Sequence, residues 1–136
     1  MTEHAKPLPR MDPLHDEFYA HLNNNELRFQ RCECGDWRHM PRESCEICGS
    51  FNWTWEKSSG KAELFSWTTV YRPLHPAYED EVPYTVVVVE MEEGTRLCTR
   101  LEDIADEDLK IGLPLQVAFE QVTPEVTLHK FVRAKA

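Results

Sequence analysis

The chain has 136 residues, enough for one good core or for a small core with a metal-stapled appendage. It carries 24 acidic against 15 basic residues, a formal net charge of −9. That balance disfavours a nucleic-acid partner, because such binders displace counterions from phosphates with a basic surface. No apolar run reaches about 18 residues, so a membrane-spanning helix is not expected.

In chain order, residues 1–12 read as a loosely attached tail. Met1 to Arg10 is polar and proline-bearing, which is not the pattern of a signal peptide. Asp12-Pro13 predicts a helix start, with aspartate as cap and proline at the first helical position. Leu14, Phe18 and Leu22 then recur at i, i+4 and i+8, with Tyr19 beside them, and Asn23-Asn24-Asn25 ends the run. Such a helix either packs on its own chain or docks on another subunit. Tail and helix together make a first segment, residues 1–26.

Leu27 to Arg31 predicts a short strand that runs into Cys32-Glu33-Cys34-Gly35. After a turn-containing return over Asp36 to Arg42 comes Cys45-Glu46-Ile47-Cys48-Gly49. Four of the five cysteines thus fall inside 17 residues. Two close pairs with a short loop between them fit a tetrahedral thiolate site. The glycine after each pair lets backbone amides fold toward the sulfurs, because it tolerates positive φ. Zinc is the expected metal, and four sulfurs leave it no open position, so its role is structural. Cys32, Cys34, Cys45 and Cys48 are the candidate ligands. Ordinary reduced thiols or a disulfide are the alternatives. His39 is either a spare ligand or a solvated loop residue. The first pair, Cys-x-Cys-Gly, is one residue shorter than the second, so its amide-to-sulfur hydrogen bonds must differ. Phe51, Trp53 and Trp55 alternate with Asn52 and Thr54, as a strand does. Residues 27–57 therefore read as a rubredoxin-like zinc ribbon, two small hairpins closed by metal, with too little core to fold without the ion.

Ser58-Ser59-Gly60 punctuates the chain, and residues 58–136 read as a second unit. Strands are predicted over Ala62–Arg72, Tyr84–Met91, Thr95–Leu101, Leu115–Val122 and Val126–Arg133. A short helical turn is predicted over Asp106–Ile111, ended by Gly112. Five strands with one short helix between the third and fourth is the arrangement of an OB-fold barrel. The fold class is therefore mainly β. Leu97 and Leu101 share one face of the third strand, and Arg96, Cys98 and Arg100 the other. Val86 and Val88 oppose Val87, Val89 and Met91, so the second strand is apolar on both faces and needs cover on both. Glu79-Asp80-Glu81 and Glu92-Glu93 read as solubilising turns. No catalytic constellation emerges. Cys98 is the single cysteine outside the ribbon, and His75 or His129 is its candidate base.

These segments together resemble a family of acyl-CoA-associated proteins that join an N-terminal zinc ribbon to a C-terminal OB-fold. The resemblance spans roughly residues 12–134. It is carried by Leu27-Arg28-Phe29-Gln30-Arg31-Cys32, Pro41-Arg42, Cys45-Glu46-Ile47-Cys48-Gly49-Ser50 and Gly60. In the barrel it is carried by Ser66-Trp67-Thr68-Thr69-Val70, Pro83-Tyr84-Thr85-Val86-Val87, Asp108-Leu109-Lys110-Ile111-Gly112-Leu113-Pro114 and Phe131-Val132-Arg133-Ala134. The shortened first pair departs from the family pattern. What the resemblance implies is a non-catalytic accessory subunit of a thiolase-like or aldolase-like enzyme, including those that act on steroid side-chain thioesters. The partner carries the chemistry, and this subunit supports assembly and shapes the acyl-CoA site. The alternative is a free-standing acyl-CoA-binding module, with Arg96 and Arg100 meeting phosphates and Phe65, Trp67 and Tyr71 lining an apolar slot. A nucleic-acid-binding OB protein is a third reading, opposed by charge. Thiol-rich spacing without an export signal points to a reducing, cytoplasmic setting.

Overall fold

Asp12 opens the first element as its side chain predicts. The computed structural model describes residues 6–9 and 12–135, and helix α1 spans Pro13–Asn23. The Asp12 carboxylate accepts a hydrogen bond from the His15 amide at 3.0 Å. Phe18 and Leu22 are buried, in one core with Leu27, Phe29, Leu64, Val89, Leu97 and Phe131. The helix therefore packs on its own chain, and helix, ribbon and barrel share a continuous apolar interior. Of the expected loose tail, residues 1–5, 10 and 11 lie outside the described residues. Lys6 is not loose: it pairs with Glu81 and sits 5.4 Å over the Tyr78 ring.

The ribbon is a three-stranded antiparallel sheet rather than two separate hairpins. Strand β1 (Arg28–Cys32) lies between β2 (Trp37–Arg38) and β3 (Trp53–Lys57). β2 stops after two residues, and Pro41, which has no amide hydrogen to give a ladder, follows close behind. The link to the barrel is held by the turn at Glu93. That carboxylate accepts from Ser58 Oγ at 2.6 Å and from the Ser59 amide at 2.9 Å. The Glu92-Glu93 turn is thus a clamp and not only a solubilising feature. Gly60 has φ +79, and a Cβ there would lie 2.7 Å from Val117 Cγ1.

Five strands close the barrel: β4 (Lys61–Val70), β5 (Tyr84–Met91), β6 (Arg96–Leu101), β7 (Pro114–Thr123) and β8 (Val126–Arg133), in the order β4-β5-β6-β8-β7. This is an OB-fold. The helical turn expected over Asp106–Ile111 is a single 3-10 turn, Asp106–Asp108. Gly112, at φ +89, donates to the Leu64 carbonyl at 2.8 Å and turns the chain back onto β4. β6 and β8 run parallel and meet in one register pair, Leu101 with Phe131. Val87, Val89 and Met91 point inward and are buried, as are Leu97 and Leu101. On the outer face of β5, Val86 and Val88 are half-buried. Val86 faces a cavity also lined by Lys6, Pro7 and Leu8. Val88 faces a second one beside Phe18 and Tyr19. Cover for that face comes partly from the chain's own N-terminal segment and helix.

Candidate functional site

The four cysteines singled out by spacing converge at one end of the ribbon. Their sulfurs all lie within 4.8 Å of one another. Cys32 Sγ is 3.5 Å from Cys48 Sγ, and Cys34 Sγ is 3.8 Å from Cys45 Sγ. Four sulfurs at about 2.3 Å from one ion sit about 3.8 Å apart, so the separations match a tetrahedral cage. All five cysteines are free thiols. Cys32 and Cys45 are buried, Cys34 and Cys48 exposed, which places the cluster at the surface of the ribbon tip. The four residues form a cluster able to hold a metal ion.

Each turn aims amides at sulfur, and the two turns differ as their lengths require. In the second, the amides of Cys48 and Ile47 reach Cys45 Sγ, and the amide of Ser50 reaches Cys48 Sγ; the Ile47 nitrogen lies 3.3 Å from Cys45 Sγ. In the shortened first turn, the amide of Asp36 reaches Cys34 Sγ. Gly35 instead donates to the Cys32 carbonyl at 2.8 Å. These amides favour thiolate, and the Cys48 amide above all draws the Cys45 pKa down to about 7. For Cys48 the Ser50 amide pulls the same way, but the neighbouring sulfurs, Cys32 first, push the value up to about 12. Four negative charges this close are not sustained together without a cation.

His39 is neither a ligand of this cluster nor a solvated loop residue. Its ring packs 5.1 Å from Phe18 and 5.5 Å from Phe29. Burial lowers its pKa to about 4. No loop pattern announces this, because the rings that bury it, Phe29 and Phe18, are 10 and 21 residues upstream.

A second arrangement lies on the barrel. A cavity of about 310 Å³ is lined by Tyr19, Tyr78, Tyr84, Val86, Leu128 and His129, among others. His129 Nδ1 is 2.8 Å from Thr99 Oγ1. This side-chain bond spans β6 and β8 near the place where their pairing is reduced to one bridge. Burial lowers the His129 pKa to about 4. Cys98 is exposed and lines the same cavity. An imidazole with so low a pKa is a weak base toward that thiol. His75 is occupied otherwise: its Nδ1 accepts from the Ala77 amide at 3.1 Å.

The arginines expected to meet phosphates meet carboxylates and rings. Arg96 stacks 3.9 Å over Phe65 and pairs with Glu90 at 3.2 Å. Arg100 pairs with Glu81 at 2.7 Å and Glu102 at 3.7 Å and lies 4.7 Å over Tyr84. Phe65 and Trp67 are each 40% exposed and Tyr71 is 70% exposed. The cavity is lined instead by Tyr19, Tyr78 and Tyr84, which alternation along one strand does not single out.

Ribbon, cysteine cluster and barrel together define a zinc-ribbon-type unit joined to an OB-fold. The family model described as the ChsH2 C-terminal OB-fold domain matches residues 55–120. A DUF35 domain-containing scaffold protein of Pyrococcus furiosus is 32% identical over 92 residues, covering 68% of this chain and 67% of that protein. A chain of the solved Ltp2-ChsH2(DUF35) aldolase is 35% identical, with a TM-score of 0.85 over 93% of this chain and 98% of that one. The chain belongs to the DUF35 family. It is also 35% identical over 127 residues to a probable enoyl-CoA hydratase alpha subunit of Thermomonospora curvata, spanning 93% of this chain but 39% of that protein's length.

Proposed function

We propose that this chain is a non-catalytic accessory subunit of an acyl-CoA enzyme of the thiolase superfamily, thiolase-like or aldolase-like. It supports assembly and shapes the acyl-CoA site. The observation that carries this reading is the end-to-end likeness to a chain of the Ltp2-ChsH2(DUF35) aldolase. The hydratase name borne by the Thermomonospora curvata relative supports the coarser part of the reading, a subunit of an enzyme that acts on acyl-CoA. The active nucleophile and base belong to the partner. A working division of the chain is 1–26, 27–57 and 58–136, for helix, ribbon and barrel. We assign one zinc ion to Cys32, Cys34, Cys45 and Cys48, on the donor set and the sulfur separations. Such an ion, closed by four sulfurs, cross-links the ribbon and leaves the reaction to the partner. The setting is reducing and cytoplasmic, as unpaired thiols at metal spacing suggest. No helix among the described residues is long and apolar enough to cross a membrane.

Co-expression with a thiolase-like or aldolase-like enzyme, followed by gel filtration, tests the reading. One peak containing both chains is expected, and two separate peaks at micromolar concentration contradict it. One observation favours a second reading, a free-standing acyl-CoA-binding module: the barrel cavity of about 310 Å³ reaches the range of small-molecule sites. Calorimetry of the isolated chain with several acyl-CoAs separates the two. Binding without a partner supports the module, and no heat up to millimolar ligand removes it.

A further inference from the structure

Arg38 is buried, at 3% exposure, yet among the described residues it forms no ion pair. A guanidinium cannot shed its proton, so it is a permanent charge inside the ribbon. Two of its nitrogens meet neutral acceptors: Nε donates to Gln30 Oε1 at 3.0 Å and Nη2 to the Arg42 carbonyl at 2.6 Å. Its third nitrogen, Nη1, is buried and donates to no acceptor among the described residues. The planar group lies 5.7 Å over Trp53. A ring face offers some compensation to a cation but no net negative charge. Burying a lone charge is costly unless an opposite charge lies close by.

The sheet register shows where the opposite charge can come from. Arg38 stands opposite Gln30, and Trp53 stands opposite Cys32. Gln30 and Cys32 are two residues apart on β1, hence on one face, and both are buried. Arg38 and the first cysteine of the cluster thus share the same buried side of a three-stranded sheet. Four thiolates around a dication carry a net charge of about −2. We infer that Arg38 is the built-in counter-charge of the metal-loaded cluster. It is a positioning residue that touches no metal and raises the cluster's affinity for the ion. The same guanidinium, with Gln30, grips the Arg42 backbone that leads into Cys45: Gln30 Nε2 donates to the Arg42 carbonyl and Gln30 Oε1 accepts from the Arg42 amide, each at 2.7 Å. Charge and clamp therefore act from one side chain, and the test must tell them apart.

The inference rests on the four-cysteine metal assignment. Zinc affinity of the full chain is measured by competition with a chromophoric chelator, for the wild type, Arg38→Met and Arg38→Lys. Met removes the charge at similar length, and Lys keeps the charge but loses the planar fork. Arg38→Met is expected to weaken zinc binding about 10–100-fold, the range for residues that support a ligand shell. Arg38→Lys is expected to stay within about threefold of the wild type. Raising the salt concentration should narrow the gap only slightly, because a buried pair is poorly screened. Equal affinity of Arg38→Met and the wild type overturns the inference. So does Arg38→Lys falling as far as Arg38→Met, which makes the clamp, not the charge, the cause. If Arg38→Met does not fold, Arg38→Gln, neutral but still able to donate a hydrogen bond, takes its place under the same two criteria. A wild type that binds no stoichiometric zinc overturns the metal assignment itself, a result distinct from failure of the charge argument.

Discussion

Acid is expected to destabilise this protein through two histidines well before its carboxylates are protonated. Burial holds His39 and His129 near pKa 4 in the folded chain, against about 6.5 when unfolded. The unfolded chain therefore binds up to two more protons between these values. Stability is fully present above pH 6.5 and is lost as the pH falls toward 4. At about 1.4 kcal/mol per pH unit, keeping one imidazole neutral down to about 4 rather than 6.5 corresponds to about 3–4 kcal/mol. Together they amount to about 7 kcal/mol, with a mid-window slope of about 3 kcal/mol per pH unit. That is a large part of a typical domain's stability. Urea unfolding at a series of pH values from 7 to 4.5 measures the slope, and proton NMR of the imidazole C2 protons reads each titration directly. Because loss of metal from the thiolates also follows acid, the informative quantity is the difference between variants. His39→Gln and His129→Gln should each remove about half the slope attributable to the pair. Imidazoles that titrate near 6.5 in the folded chain, or a double variant with an unchanged slope, would mean that burial does not hold the pair neutral.

Other consequences are equally specific. Gly60→Ala combines a left-handed backbone, about 1–2 kcal/mol, with a Cβ 2.7 Å from Val117 Cγ1, about 1–3 kcal/mol more. Gly94→Ala, at φ +98 with nothing within 4 Å, should carry the backbone part alone, and chemical denaturation that ranks the two equally contradicts the close approach. Phe18→Ala should cost about 3–5 kcal/mol in the isolated chain, since Phe18 is 2% exposed in the shared core; a negligible loss would mean that the helix belongs to a partner's surface. Cys34→Ser should lower zinc content measured by elemental analysis, whereas Cys98→Ser should leave one ion per chain.

Much of this was readable in the chain because the signals are local. Tyr84–Met91, built on four consecutive valines, and Val126–Arg133, rich in β-branched and aromatic residues, emerge with those same limits. The helix begins at Asp12-Pro13 because cap and proline are adjacent. The cysteine cluster follows from spacing within 17 residues. The remainder depends on contacts between distant residues. Nothing near His129 reveals Thr99, 30 residues earlier, as its partner. The burial of Arg38 depends on Gln30 and Trp53 arriving from two other strands. The acidic turns looked like solvated surface, yet Glu81 and Glu93 each gather two partners from elsewhere in the chain. Alternation identifies which face of a strand is apolar, but not that residues 6–8 lie against it.

The accessory role is tested most directly by enzymology of the pair. A thiolase-like or aldolase-like enzyme and this chain are purified separately, and thioester turnover is measured for each and for their mixture, alongside the mass of the complex by light scattering. No turnover by this chain alone, a stable hetero-oligomer, and activity that rises on mixing are expected. Unaided turnover of a thioester by the isolated chain would contradict the accessory role.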